Sequence, residues 1–399
     1  MLTVILVFLL SLIALPINSY AKGSDIIPND KTGIPDKGLY QAILEGLNRE
    51  KTGVFTKKEV AKLTFLSAGN FYKTRPDIKN LKGIENLKGL KGINVDYNKL
   101  KNLSGLEKLK KLEDISAEEN NLTSIKAIKN LTKLKRLCIP VNQLKSISSV
   151  KNLTRLEELD ISGNQLKSLS SVKKLTNLEV LYANDNALTS LSGVEKLVKL
   201  MSFRAYGNQL KSISGIEGLT NLESLDVSYN KIISLKGVEN LLKLQILCVM
   251  DNKLRKLPDL RHLIDLHDES TSFIFNKLSK KELKEKLPTH LTSYSRWMKT
   301  EVQLQNATRK LKLTSPTSFK KIKSTTTKIA GTAQKNTKVR IRYKNKTIQT
   351  VKTNDKGVFR FTKLNLEEYK GKTLNMEVRH KYGLDTTYFT IKFVEFTVS

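Results

Sequence analysis

Catalysis needs nucleophiles, bases or metal ligands gathered at one place, and this sequence supplies few of them. Its four histidines are His262, His267, His290 and His380. Only His262 and His267, with Asp265, Asp268 and Glu269 beside them, have a spacing that a metal could use, and such side chains at the end of a repeated coil more often form a polar cap. No Gly-x-Ser-x-Gly, His-Glu-x-x-His or phosphate-binding loop occurs. We therefore expect no enzyme, no cofactor and no metal site. What the chain carries instead is a set suited to noncovalent recognition: Tyr182, Arg204, Tyr206, Tyr229 and Met250, with Asp160 and Asp226 among them. Aromatic and Arg side chains dominate the energetics of protein interfaces.

A repeat must place these residues. Asn98, Asn120, Asn142, Asn164, Asn186, Asn208, Asn230 and Asn252 stand 22 residues apart, each followed two positions later by Leu or Ile. Apolar residues then recur every third position, as in Leu166, Leu169, Val172, Leu175 and Leu178. The alternating piece before each Asn, such as Leu159 and Ile161, predicts one strand of a parallel sheet. The three-residue spacing after it predicts a 3₁₀-type return. One such turn cannot bury its apolar side alone, so neighbours must stack into a leucine-rich-repeat solenoid with the strands on its concave side. The Asn falls where the chain leaves the strand, and its amide can both donate to and accept from backbone groups that the turn leaves unpaired.

With the residues five and three before each Asn buried, those four and two before it face out on the concave side. One column reads Asn94, Ser116, Cys138, Asp160, Tyr182, Arg204, Asp226 and Cys248; the other reads Asp96, Glu118, Pro140, Ser162, Asn184, Tyr206, Ser228 and Met250. The aromatic residues and Arg204 occupy the carboxyl half, whereas Asp96, Asp114, Glu118, Glu119, Glu158 and Asp160 occupy the amino half. Such turn-to-turn variation fits a surface built for one partner, and it also fits unconstrained solvent positions. Cys138 and Cys248 share a column five repeats apart, roughly 24 Å at the strand spacing, so they are predicted to be free thiols.

Segments 37–47 and 56–66 read as helices that cap the amino end, followed by a degenerate first turn at 77–81. At the other end the apolar series runs through Leu257, Leu260, Leu263 and Leu266 and is then lost, and 277–287 reads as a short helix stopped by Pro288. From Ser315 the pattern becomes β, with strands expected at 327–331, 337–343, 347–352, 358–362, 374–379 and 388–398. This fits an immunoglobulin-like sandwich. The predicted class is therefore α+β: an export signal at 1–21, a helical cap at 22–75, the solenoid at 76–268, a cap and connector at 269–314 and the sandwich at 315–399.

Residues Leu2 to Leu15 are apolar except Thr3 and Ser11, and Ser19-Tyr20-Ala21 is a small-x-small site with the cut expected after Ala21. The competing membrane anchor would need about 20 unbroken apolar residues, and Pro16 interrupts this run. The formal charge is +32, from 70 Lys and Arg against 38 Asp and Glu. Alone, that charge would raise nucleic acid, anionic membrane or anionic wall polymer as partners. Export disfavours nucleic acid, and so does the distribution: lysines such as Lys108, Lys110, Lys111, Lys145, Lys151, Lys167, Lys173, Lys174 and Lys211 crowd the return segments and not the concave side. The segment from Ser315 onward, with 19 Lys and Arg against 6 Asp and Glu, is itself about +13.

The 22-residue Asn-marked turn, the helical cap and the β-module after the repeats together resemble the internalin family of Gram-positive surface and secreted proteins. The resemblance implies adhesion or signalling at a host-cell surface through the concave face, with a host surface protein as partner. The chain ends at Thr397-Val398-Ser399 without an LPxTG sorting signal, which favours a secreted form, retained at the wall without a covalent bond if at all. A different reading is a structural protein of the cell wall that binds anionic polymers through its basic surface.

Overall fold

The structure, a computed structural model, describes residues 25–49, 53–268, 270–274, 276–293, 312–315, 321–323, 328–332, 338–343, 346–356, 358–381 and 388–398. The expected export signal and residues 294–311 of the expected connector lie outside them. The chain divides into two units, Met1–Asp226 and Val227–Ser399. Among the described residues no helix is long and apolar enough to cross a membrane.

In the first unit the coil is built as the period predicts. Eight strands run in chain order: β3 (Phe65–Ser67), β4 (Gly92–Asn94), β5 (Asp114–Ser116), β6 (Arg136–Cys138), β7 (Glu158–Asp160), β8 (Val180–Tyr182), β9 (Ser202–Arg204) and β10 (Ser224–Asp226). Each is parallel to the next and in register with it. One turn buries Leu137, Ile139, Leu144, Ile147, Val150, Leu153 and Leu156 almost completely. Each such side chain gains about 1.5–3 kcal/mol over exposure, and only the turns on either side can provide the burial.

The return path is 3₁₀ helix, at Ile84–Asn86, Leu106–Lys108, Lys126–Ile128, Ser148–Val150 and Ser170–Val172. The sequence enters it in two ways. Where Gly83 or Gly105 adopts a left-handed φ of 90° or 110°, its N–H donates to the carboxylate two residues on, Glu85 at 3.0 Å or Glu107 at 2.7 Å. Where Ser149 and Lys151, or Ser171 and Lys173, stand in place of that pair, the Ser146 and Ser168 hydroxyls accept from the N–H of Ser148 and Ser170 at 3.2 and 3.1 Å.

The amino-terminal cap pairs β1 (Ile26–Ile27) with β2 (Phe55–Thr56) around α1 (Lys37–Gly46). Asp36 caps α1 by accepting from Leu39 N–H at 3.1 Å, while its other oxygen accepts from Lys79 N–H at 2.8 Å. One carboxylate thus joins the helix start to the first turn of the coil. The nearly buried Arg75 guanidinium does the same for the strand side, donating to Glu45 at 2.9 Å and to the Gly69 carbonyl at 2.6 Å. The helix expected over 56–66 is corrected here: α2 spans only Lys57–Val60, with a capping box between Thr56 and Glu59, and the chain then becomes β3. The reason is a change of period, because Leu66 and Ala68 are buried while Phe65 and Ser67 face out.

In the second unit β11 (Ile246–Cys248) is followed by a bridge from Cys248 to Ser272. The helix expected over 277–287 is α3 (Lys280–Lys286), whose start is set by Ser279 accepting from Glu282 N–H at 3.0 Å. The short α4 (Thr289–Ser293) follows. Eight further strands then form two sheets. One is ordered β12 (Lys312–Ser315), β14 (Ile329–Thr332), β17 (Val358–Phe361); the other is ordered β13 (Lys321–Ile322), β19 (Tyr388–Val398), β18 (Thr373–Lys381), β15 (Lys338–Tyr343), β16 (Lys346–Lys352). Their shared core takes Ile329, Phe359 and Phe361 from one sheet and Val339, Ile341, Leu374 and Met376 from the other, which makes the module a β-sandwich. β12 and β13 had no counterpart in the sequence reading, being short strands with weak alternation.

Candidate protein-binding face

The side chains that hold the face in shape are the asparagines. Asn164 is buried; its Nδ2 donates to the carbonyls of Ile139, Ile161 and Ser162, each at 3.1 Å, and its Oδ1 accepts from Leu144 N–H at 2.9 Å. Asn98, Asn120, Asn142, Asn186 and Asn208 repeat the same pattern, each taking the N–H twenty residues earlier. In the second unit Asn252 accepts from Ile232 N–H, and Asn230 donates to Val227 and Ser228 carbonyls. Each rung stitches adjacent turns together at the strand exit.

The residue just before each of these asparagines is left-handed. Tyr97, Glu119, Val141, Asp185, Tyr229 and Asp251 have φ between 46° and 58°, and only Gly163 and Gly207 occupy that place without a side chain. The turn thus imposes a conformation that L-residues resist, most of all the β-branched Val141. A Cβ on Gly207 would stand 2.3 Å from Asp185 Oδ1.

On the first unit's strands, Asp160, Tyr182, Arg204 and Asp226 form one continuous row, each opposite the next in register. The Arg204 guanidinium lies over the Tyr182 ring, 4.8 Å from its centroid, and Arg204 is exposed while the others are half-buried. Tyr206 sits two residues beyond Arg204. Burial raises its phenol above the usual value, with Asp185 and Asp226 adding to the rise. In the second unit Tyr229 is 49% exposed, and because its φ is 55° it stands in the exit turn and not in a strand column. Its N–H donates to the Met250 carbonyl at 2.7 Å, which makes these two neighbours.

The outward columns are not uniformly open: Pro140, Asn184 and Ser228 are buried. Nor is the amino half uniformly acidic, because Arg136 forms an ion pair with Asp114, Nε to Oδ2 at 3.0 Å. Both cysteines are free thiols. Burial first, and then the neighbouring Glu158, push the Cys138 thiol up to about 12, so it is a poor nucleophile. Among the histidines, His262 and His290 bond backbone carbonyls, Glu239 and Leu266, each at 2.7 Å. Among the described residues no three His, Cys, Asp or Glu side chains gather as a metal site would require.

Family models named Leucine Rich repeats (2 copies) and Leucine Rich repeat match residues 132–174 and 154–196 and residues 218–242, respectively. The crystal structure of internalin C2 from Listeria monocytogenes superposes with a TM-score of 0.52 at 26% identity, over 58% of this chain and 98% of its own. This is an internalin-like leucine-rich-repeat protein. A second internalin of that species, inlF, is similar over 66% of this chain and 89% of its own, at 22% identity and a TM-score of 0.49. The functional domain of InlJ covers 91% of this chain and 97% of its own, at 18% identity and a TM-score of 0.43. No curated protein sequence matches.

Two features of the internalin-like chain escaped the sequence reading. Asn276 is another rung: fully buried, it donates to Val249 and Phe273 carbonyls and accepts from Leu254 N–H at 3.0 Å. It stands 24 residues after Asn252, out of phase, though Phe273 three residues before it carries the buried position of the motif. The other is an aromatic group at the amino end. Phe71 packs edge-on against Tyr72 and Tyr97, with centroids 5.0 and 4.8 Å apart, and Phe71 and Tyr72 are 62% and 84% exposed. The adjacent pair Phe71-Tyr72 in a polar stretch was the available signal.

Proposed function

We propose that this is a secreted or surface-associated binding protein, an adhesin or virulence-type effector, that recognises a host-cell protein through the strand face of its repeats. The observation that carries the reading is the row Asp160, Tyr182, Arg204, Asp226 with Tyr206 beside it. It is a ridge of interface-type side chains with alternating charge, on a sheet whose backbone is fixed by the Asn rungs. Rigid presentation lowers the ordering cost of binding, and stacked Tyr and Arg are frequent hot spots. Similarity to internalin C2, a leucine-rich-repeat fold, supports a binding role. The test is capture from host membranes by residues 22–399, comparing the native chain with a variant carrying Ala at Tyr182, Tyr206 and Tyr229. The variant is expected to lose the captured protein, and equal capture would overturn the reading.

One observation favours a second reading, retention on anionic wall polymer. On the return side, a cleft of about 570 Å³ is lined by Lys126, Lys129 and Lys151 with Ser146, Ser148 and Asn152. A neighbouring one of about 390 Å³ is lined by Lys151, Lys173 and Lys174. Binding to purified wall that is salt-sensitive, survives Tyr206→Ala and is lost on removing residues 315–399 would support this reading and give the sandwich the anchoring role.

A further inference from the structure

The amino end of the strand face has a composition unlike the rest of it. A cleft of about 260 Å³ is lined by Asn70, Phe71, Tyr72, Asn94, Asp96 and Tyr97. Three rings converge there, with Phe65 on β3, also 51% exposed, adding to the exposed aromatic surface of this end. Contiguous exposed apolar surface of this kind marks interaction sites.

Beside the rings lie carboxylates without a matching cation. Asp96 accepts from Ser116 Oγ and Glu118 N–H, each at 2.7 Å, and from Asn94 Nδ2 at 2.7 Å; the Tyr97 hydroxyl donates to Glu118 at 3.3 Å. Among the described residues no ion pair reaches Asp96, Glu118 or Glu119, although the chain as a whole carries +32. Lys73, beside the cleft, is committed elsewhere, its Nζ donating to Asp77 at 2.9 Å and to the Tyr97 carbonyl at 2.8 Å. Asn70, which lines the cleft, is 1% exposed, and its Oδ1 has no hydrogen-bond partner among the described residues. Burial raises the Glu118 carboxyl above its ordinary value, with Asp96 and Glu119 adding to the rise against the hydrogen bond from Tyr97.

We propose that this cleft is a cation subsite that takes an arginine side chain from the partner protein, its guanidinium stacked on Phe71, Tyr72 and Tyr97 and its N–H groups directed to the carboxylates of Glu118 and Asp96. Arginine fits both halves of the site because its planar, weakly hydrated head stacks on rings while its fork pairs with carboxylates. The inference rests on the strand face being the binding face. It adds the chemistry of the partner: a basic residue enters at the amino end while an aromatic and charged ridge serves the carboxyl half.

The experiment titrates the full chain with acetyl-Gly-Arg-Gly-amide and with its citrulline counterpart, of equal shape but no charge, by calorimetry at low ionic strength. The arginine peptide is expected to bind at least about tenfold more tightly, and Tyr72→Ala and Glu118→Gln each to weaken it about three- to tenfold. Tyr72 is 84% exposed, so its loss leaves folding intact, which the urea midpoint checks. Equal binding of the two peptides, or wild-type affinity in both variants, would overturn the proposal. Failure here is separable from failure of the wider reading, because the Tyr182, Tyr206, Tyr229 variant is assayed by host-protein capture and not by the peptide.

Discussion

At the scale of single residues, a turn rests on one amide and one strained backbone position. Asn164→Leu keeps the size of the side chain but leaves Leu144 N–H without its acceptor and withdraws the donor shared by Ile139, Ile161 and Ser162. The expected loss is about 1–3 kcal/mol for each group left bare, read from urea unfolding. The residue before the Asn acts in the opposite sense. Val141→Gly relieves a β-branched residue at φ 53° whose side chain is already 49% exposed, and should stabilise the chain by about 0.5–1 kcal/mol. Gly207→Ala in the equivalent place should destabilise it, because its Cβ meets Asp185. A stabilising Gly207→Ala would show that the left-handed turn carries no strain.

At the scale of elements, β5 and the exit turn after it gather Glu118 and Glu119 beside Asp96 of the preceding turn. Because the folded-state pKa of Glu118 is raised, ionisation is easier in the unfolded chain. The stability contributed by its neutral form is therefore present below the ordinary glutamate value of 4.5 and is lost as pH rises through the folded value. Glu118→Gln, which keeps an acceptor for the Tyr97 hydroxyl, should raise the unfolding temperature at pH 7, and the difference should vanish near pH 4. A gain that persists unchanged at low pH would place its origin elsewhere. A carboxylate kept at a cost to stability suits a site that receives a cation. The cap is an element-scale case of local signals divided by tertiary packing: the Thr56 and Glu59 box starts α2, yet Leu66 and Ala68 then draw the chain into β3.

At the largest scale, charge in the first unit is unevenly distributed. Lysines line clefts on the return path, where Glu85 and Glu107 also lie, whereas Asp160, Tyr182, Arg204 and Asp226 share the strand face. Surface charges act within about a Debye length, so any wall retention through these lysines should fall steeply between low and physiological salt. Capture of a protein by the strand face, carried by packed rings, should change less. Measuring both at two salt concentrations tests the division, and equal salt dependence would count against it.

Much of this is legible in the sequence, because a coil whose contacts join residues 22 apart is encoded almost one-dimensionally. The phase of Asn98 to Asn252 determined the parallel strands, the buried column and the amide rungs, since each turn meets only its neighbours. The sandwich strands were legible from period-two alternation, apart from the two-residue β13 and from β12, whose Lys-Leu-Thr-Ser has a single apolar residue. Tertiary structure alone decided what happens where the period fails. It bent the chain into β3 after four residues of α2, placed Asn276 on a rung despite its 24-residue interval, and brought Phe71, packed on Tyr72, against Tyr97 beside unmatched carboxylates. Those positions depend on where the chain returns after an irregular path, and no local spacing records that.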